Sequence, residues 1–350
     1  MQPIQIGLVA AIIGTSFILL LRKDEGGILV LLTAIVAILL FFSVIWRVMA
    51  KKQMAMAEEI KDRTLTWWWM VAIFMLALAT HRLVSFALLA FLCFAALREY
   101  FSLIPMRNEN QGLELNFNDR LPAFFCYASI LLVFYVAYIE WYGMFVILAP
   151  VYLFLCIPIL LVLQNRARGS MQFMGFISLG FMFFVYNFGH CLFMINMGPM
   201  VLLYCFTLTE VRDLLSFWIG KTLARWAETL PEGRGKRLVE RRIAPDISPK
   251  KTWSAGLAAA LAIALLAMLM QPLLPEFPQG RMSLLYAAFT GFAIGILGLF
   301  GDLVFSMMKR DAGVKDSGTL LPGHGGIIDR VDSLVFTIPV TFHLIRWAYF

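Results

Sequence analysis

The sequence predicts an all-α, polytopic bundle of transmembrane helices, with about nine to eleven spans and a polar active-site cavity on the cytoplasmic side. Three observations carry this expectation. Of 350 residues, 61% are hydrophobic and 15% charged, against about half and about a quarter in an ordinary soluble domain. Apolar runs recur along nearly the whole chain. Cations gather in alternate gaps between those runs.

Backbone amides cannot stay unpaired in hydrocarbon, so each apolar run is expected to be helical. The runs lie near 3–21, 28–49, 65–80, 83–101, 121–140, 143–163, 170–187, 189–208, 253–272, 283–308 and 333–349. Only His81 and Arg82 divide the third from the fourth. Residues 3–21 read as a retained helix, because no basic segment precedes them and no clear small-residue cleavage site follows.

Gaps after every second run carry Lys51, Lys52, Lys61 and Arg63, then Arg107 and Arg120, then Arg166 and Arg168, then two long basic segments. The other gaps hold little beyond Arg22, Lys23, Arg82 and Arg281. The positive-inside rule then places the N-terminus and both long segments in the cytoplasm, with the protein in the cell (inner) membrane. It accounts for the net charge of +7 better than a nucleic-acid partner does, since no groove-reading module is visible. Membrane lipids are the expected surroundings.

Several residues carry only structural expectations. Cys93, Cys126, Cys156, Cys191 and Cys205 lie in apolar runs without a CxxC pair and read as small buried hydrophobes. Trp67-Trp68-Trp69 and Trp141-Tyr142 read as an interfacial belt, and Gly175, Gly180 and Gly189 as points of close helix approach. His81, His190 and His343 read as isolated structural residues without metal-ligand spacing. Glu140 ends a run, where it is expected to meet water.

Two polar segments stand apart. Residues 212–252 mix Asp213, Lys221, Arg225, Arg234, Lys236, Arg237, Arg241, Arg242 and Asp246. The middle, Glu232 to Arg242, reads as a solvated cytoplasmic loop. Its end, Ser248-Pro249-Lys250-Lys251-Thr252, immediately precedes a membrane helix; Ser248 is placed to cap it, and the lysines to meet phosphate oxygens at the interface.

Residues 301–333 read GDLVFSMMKRDAGVKDSGTLLPGHGGIIDRVDS. Continued as a helix, the preceding run places Asp302, Ser306, Lys309 and Arg310 on one face. Ionisable groups at membrane depth are expensive, so that face should look into a cavity or the protein interior. Lys315 and Asp316 follow. Pro322-Gly323-His324-Gly325-Gly326 breaks the helix with glycines that let backbone N–H groups approach phosphate. Asp329, Asp332 and Ser333 then share a face at the mouth of the last helix, a setting that suits a hard cation.

Residues 306–332 resemble the signature of the phosphatidate cytidylyltransferase (CDP-diacylglycerol synthase) family. There a Ser precedes Lys-Arg, followed by Lys-Asp, a Pro or Gly, His-Gly-Gly and Asp-Arg-x-Asp. Ser306, Lys309, Arg310, Lys315, Asp316, Pro322, His324, Gly325, Gly326, Asp329, Arg330 and Asp332 meet these positions. A second stretch of the family, Ser-Pro-Lys-Lys-Thr, is met at 248–252. A third resembles Asp213, Gly220 and Lys221, with Phe217 where Tyr is common. The resemblance covers about residues 65–350, which divides the chain into a two-helix extension with its loop, 1–64, and a cytidylyltransferase-like membrane domain, 65–350.

The resemblance implies condensation of CTP with phosphatidate, with Mg²⁺, to give CDP-diacylglycerol and pyrophosphate. It implies Asp302 and Asp329 as metal ligands. Asp332 and Asp316 are expected as further ligands or as groups behind them. Lys309, Arg310, Lys315 and Arg330 would hold phosphates, and Lys250 and Lys251 the nucleotide or headgroup. His324 joins the catalytic group, while Asp213, Ser248, Ser306, Gly325 and Gly326 contact substrate. A homodimer is compatible with such a chain.

The sequence departs from the family pattern at Ser254 and Phe305, where Glu is usual, at Ala255, where Gly is common, and at Leu214-Leu215 after Asp213. Phe305 sits beside the polar stripe in sequence, so a different lipid phosphate is an alternative substrate. A transporter and a non-catalytic descendant are the alternatives from other classes. The polar groups cluster at the cytoplasmic end rather than the bilayer midplane, which favours catalysis at the interface.

Overall fold

The computed structural model describes residues 3–23, 25–54, 57–103, 121–165, 167, 169–318 and 325–350. Every apolar run is helical: α1 Pro3–Arg22, α2 Gly26–Lys51, α3 Ala57–Ala79, α4 Arg82–Leu103, α5 Leu121–Tyr138, α6 Tyr142–Leu163, α7 Ser170–Met197, α8 Pro199–Thr229, α10 Trp253–Met270, α11 Leu284–Asp311 and α13 Leu334–Tyr349. Two short elements, α9 Arg234–Val239 and α12 Ile328–Val331, lie between them. Eight helices among the described residues are long and apolar enough to cross a membrane. The chain is thus an all-α, polytopic bundle.

Two boundaries differ from the expectation. The seventh run does not stop near residue 188. It continues through a π-helical stretch, Phe181–Asn187, to Met197, and the break falls at Gly198, whose φ of +137° suits glycine. The eighth helix then continues to Thr229, so residues 212–229 are helix rather than loop. Pro199 opens it in the first turn, where its missing N–H costs nothing. The 64/65 division falls inside α3, whose Trp68 donates from Nε1 to Ser43 Oγ of α2 at 3.0 Å.

Small residues set the closest approach. A Cβ on Gly295 of α11 would lie 2.5 Å from Ala260 Cα of α10, so these backbones meet with nothing between them. The cysteines are free, and all but the half-buried Cys156 are buried. Two expectations are corrected. His190 and His343 are not isolated: they meet Nε2 to Nε2 at 3.2 Å across 153 residues, and Tyr142 Oη lies 3.4 Å from His343 Nδ1. Glu140 does not merely meet water, because Arg82 pairs with it.

Candidate active site

α11 runs on past its apolar stretch as expected. Ser306 Oγ donates to Asp302 Oδ1 at 3.3 Å, one helical turn away. The other polar segment, residues 212–252, reaches this helix through a backbone clasp. Arg242 and Thr252 form an antiparallel bridge; Ile243 N donates to Lys251 O and Trp253 N to Arg241 O, each at 3.0 Å. The clasp delivers Lys251, whose ammonium pairs with Asp302 Oδ2. Thr252, not Ser248, caps α10: its hydroxyl accepts from Ala255 N at 3.4 Å. Ser248 instead donates its backbone N–H to Ala244 O at 2.9 Å within the clasp.

α8 brings a further pair. Arg212 is 1% exposed and pairs with Asp213. Its side chain lies against Gly298, where a Cβ would sit 3.3 Å from Arg212 Cδ; the Nε and Nη2 donors have no hydrogen-bond partner among the described residues. Asp332, 8% exposed, accepts from the N–H of Ser333 at 2.7 Å. Burial, and then the negative charges of Asp302 and Asp213, hold the Asp332 carboxyl well above the usual carboxylate range. Carboxylates from three separated parts of the chain therefore share one electrostatic neighbourhood.

Asp329 is held from several sides. Lys309 Nζ donates to its Oδ1 at 2.6 Å, while Ser317 N and Gly326 N donate to Oδ2 at 2.9 and 3.1 Å. Burial opposes ionisation of Asp329, but the ammonium and the two N–H groups outweigh it and pull the carboxyl below its ordinary value. Gly325 has φ +82°, and a Cβ there would stand 2.7 Å from Asp329 Oδ2, so the turn requires glycine twice over.

Other expected residues stay outside this group. Arg310 is exposed and donates to Val314 O at 3.2 Å, so it leaves the face it shares with Asp302 in sequence. Lys250, Lys315 and Asp316 are exposed. Arg330 is half-buried, within electrostatic reach of Glu210. Pro322 and His324 lie outside the described residues, as do Arg107, Arg120, Arg166 and Arg168. Phe305 does not face the polar stripe. It is 1% exposed, with its ring centroid 5.3 Å from Phe183 and 5.8 Å from Phe184. Ser254 donates to Val239 O at 2.6 Å, tying α10 to α9.

Sequence reasoning passed over Glu99 and Glu210 and gave no role to Arg212. Glu99, on α4, accepts from Ile327 N at 2.8 Å and from Ile328 N at 3.1 Å. Charged residues near the ends of apolar helices were the available signal. A cavity of about 650 Å³ lined by Tyr142, His343, Arg346 and Trp347 lies toward the other end of α13 and includes none of these acids.

The donor chemistry suits Mg²⁺, which takes carboxylate oxygens and keeps waters and phosphate oxygens as its other ligands. Asp302, Asp213 and Asp332 supply such oxygens within one electrostatic neighbourhood. Among the described residues, no three His, Cys, Asp or Glu side chains form a ready-made cage.

Comparison with known proteins places these residues in context. Residues 61–348 match the family model described as "Cytidylyltransferase family". The chain is 30% identical over 315 residues to a protein of Escherichia coli (strain K12) called "Uncharacterized protein YnbB", covering 87% of this chain and 92% of that one. It is 48% identical over 111 residues to the phosphatidate cytidylyltransferase of Synechocystis sp., which is 32% of this chain and 36% of that enzyme. With the phosphatidate cytidylyltransferase of Bacillus subtilis it shares 40% identity over 111 residues, 40% of that enzyme's length. The matches to these two named enzymes therefore span well under half of their length.

Proposed function

The chain belongs to the cytidylyltransferase family, and from that premise we propose that it transfers a cytidylyl group from CTP to a lipid phosphate, phosphatidate first among them, in phospholipid biosynthesis. The observation that carries this reading is the Lys251–Asp302 ion pair. It brings together the two segments that bear the family's motifs.

In the proposed reaction a lipid phosphate oxygen attacks the α-phosphorus of CTP and displaces pyrophosphate. Little covalent help is required, so positioning and charge neutralisation dominate. Asp302 and Asp332 would hold Mg²⁺, joined by Asp329 when Lys309 turns to a phosphate. Bound there, the ion would neutralise triphosphate charge and steady the leaving oxygen. Lys251 and Lys309 are donors that can exchange their carboxylate partners for phosphate oxygens. Arg212, paired with Asp213, offsets part of the negative charge that this acid adds next to two others. The glycine-bearing turn lets Gly326 N approach an anion, as it already approaches Asp329. We place this end of the bundle in the cytoplasm, from the alternation of loop cations.

The test is purified protein with labelled CTP, Mg²⁺ and a panel of lipid phosphates: phosphatidate, lysophosphatidate and an isoprenoid phosphate. Labelled CDP-lipid from phosphatidate supports the reading. Preference for another member moves the substrate within the class. Transfer to none of them overturns it.

A further inference from the structure

We propose that Glu99, on α4, is a positioning residue for this reaction: its carboxylate pins the turn at residues 325–328 and thereby sets where Asp329 stands. The inference rests on the function proposed above. Three consecutive amides of that turn are each held by a carboxylate. Gly326 N donates to Asp329 Oδ2 at 3.1 Å, Ile327 N to Glu99 Oε2 at 2.8 Å and Ile328 N to Glu99 Oε1 at 3.1 Å. The turn therefore lies between two acids, one local and one from 228 residues away in sequence.

The fit on the Glu99 side is close. A Cβ built on Gly326 would overlap both Glu99 Oε1 and Ser317 Oγ, and one on Gly318 would lie 3.2 Å from Glu99 Oε2. Both glycines leave room for this carboxylate. Its own helix is firmly seated: the neighbouring Tyr100, 1% exposed, donates from Oη to Phe176 O at 3.1 Å and stacks on the Phe176 ring at 4.5 Å. A carboxylate on such a platform transmits a fixed position rather than a mobile charge.

Asp329 then has two supports. Lys309 fixes Oδ1 from α11, and the turn fixes Oδ2 through Gly326 and Ser317. Ile327 and Ile328 are buried, so without Glu99 their N–H groups lose the acceptors that pair them. The turn would have to move to satisfy them, and Asp329 would move with it. Glu99 is half-buried behind the turn, so it acts through Asp329.

The experiment uses the full chain in lipid nanodiscs, as wild type, Glu99→Ala and Glu99→Gln. Hydrogen exchange of residues 325–329 is measured together with cytidylyl transfer at varied Mg²⁺ concentration. Glu99→Ala is expected to speed exchange at Ile327 and Ile328 while leaving α10 and α11 unchanged. It should lower kcat on the order of a hundredfold and raise the Mg²⁺ concentration for half-maximal rate. Glu99→Gln retains one acceptor and should recover part of both. Unchanged exchange at the two amides, or a lower melting temperature with wild-type kcat and Mg²⁺ response, overturns the proposal. If the wild type has no turnover, faster exchange in Glu99→Ala still supports the pinning and unchanged exchange still overturns it. The activity reading alone then falls.

Discussion

Lys251 and Asp302 meet as an ion pair across 51 residues of chain, linking the clasp before α10 to the polar end of α11. Both side chains are partly exposed, at 20% and 27%, so the pair contributes little to stability by itself. The role proposed for it is chemical. Asp302→Asn is expected to reduce cytidylyl transfer by about a hundredfold or more, with the protein still folded in the membrane. Lys251→Ala should act mainly through a higher KM for CTP. Steady-state kinetics with labelled CTP measures both, and near-normal turnover in Asp302→Asn contradicts the role given to that acid.

Phe305 makes the opposite case. Its position beside Ser306 suggests a lost carboxylate of the site, but its ring is enclosed by Phe183 and Phe184. Phe305→Glu should therefore destabilise the protein by several kcal/mol through burial of a charge without a partner. Phe305→Leu should be tolerated. Neither should reorder the panel of lipid phosphates. Thermal unfolding in detergent and the substrate panel together decide this; a stable Phe305→Glu with a new lipid preference would put the side chain at the site after all.

The contact between α10 and α11 offers a packing test. Gly295→Val inserts atoms where a Cβ alone would already be 2.5 Å from Ala260 Cα. A loss of about 1–3 kcal/mol is expected from overpacking. Gly14→Ala on α1, where nothing lies within 4 Å, serves as the control and should be neutral. Equal melting temperatures for the two variants would contradict the close approach.

Sidedness can be read chemically. Asp246, in the clasp, and Asp316, before the glycine turn, are exposed at the polar end, whereas Gln279 is exposed in the segment joining the other ends of α10 and α11. Cysteines placed singly at these positions in a cysteine-free background should divide accordingly. The first two should react with an impermeant reagent from one face of the membrane, and the third from the other. Labelling of positions 246 and 316 from opposite faces would separate the segments that the site requires together.

Much of this was legible in the residues. The helices follow from apolar runs because hydrocarbon leaves a backbone no alternative. The stripe Asp302, Ser306 and Lys309 follows from helical periodicity; in the structure Ser306 bonds Asp302 one turn away, and Lys309 pairs with Asp329. Arg310 escaped the same reasoning because α11 ends at Asp311, and the chain turning back at Val314 gives the guanidinium a carbonyl instead. The break after α7 was misplaced because an apolar run carries no mark where one span yields to the next unless a residue such as Gly198 is read for its backbone freedom.

By itself, the amino-acid order determined the class of fold and the family motifs, since these depend on local periodicity, composition and spacing. Only the tertiary structure decided which charges meet: Lys251 with Asp302, Lys309 with Asp329, Arg212 with Asp213, and Glu99 with the amides of Ile327 and Ile328. It also turned Phe305 from the site into the core. The physical reason is that an ion pair or a buried ring is chosen by neighbours brought together through packing, and those neighbours can be hundreds of residues apart. Helical periodicity assigns a face to each side chain, but the partner of that face is set by how the helices pack.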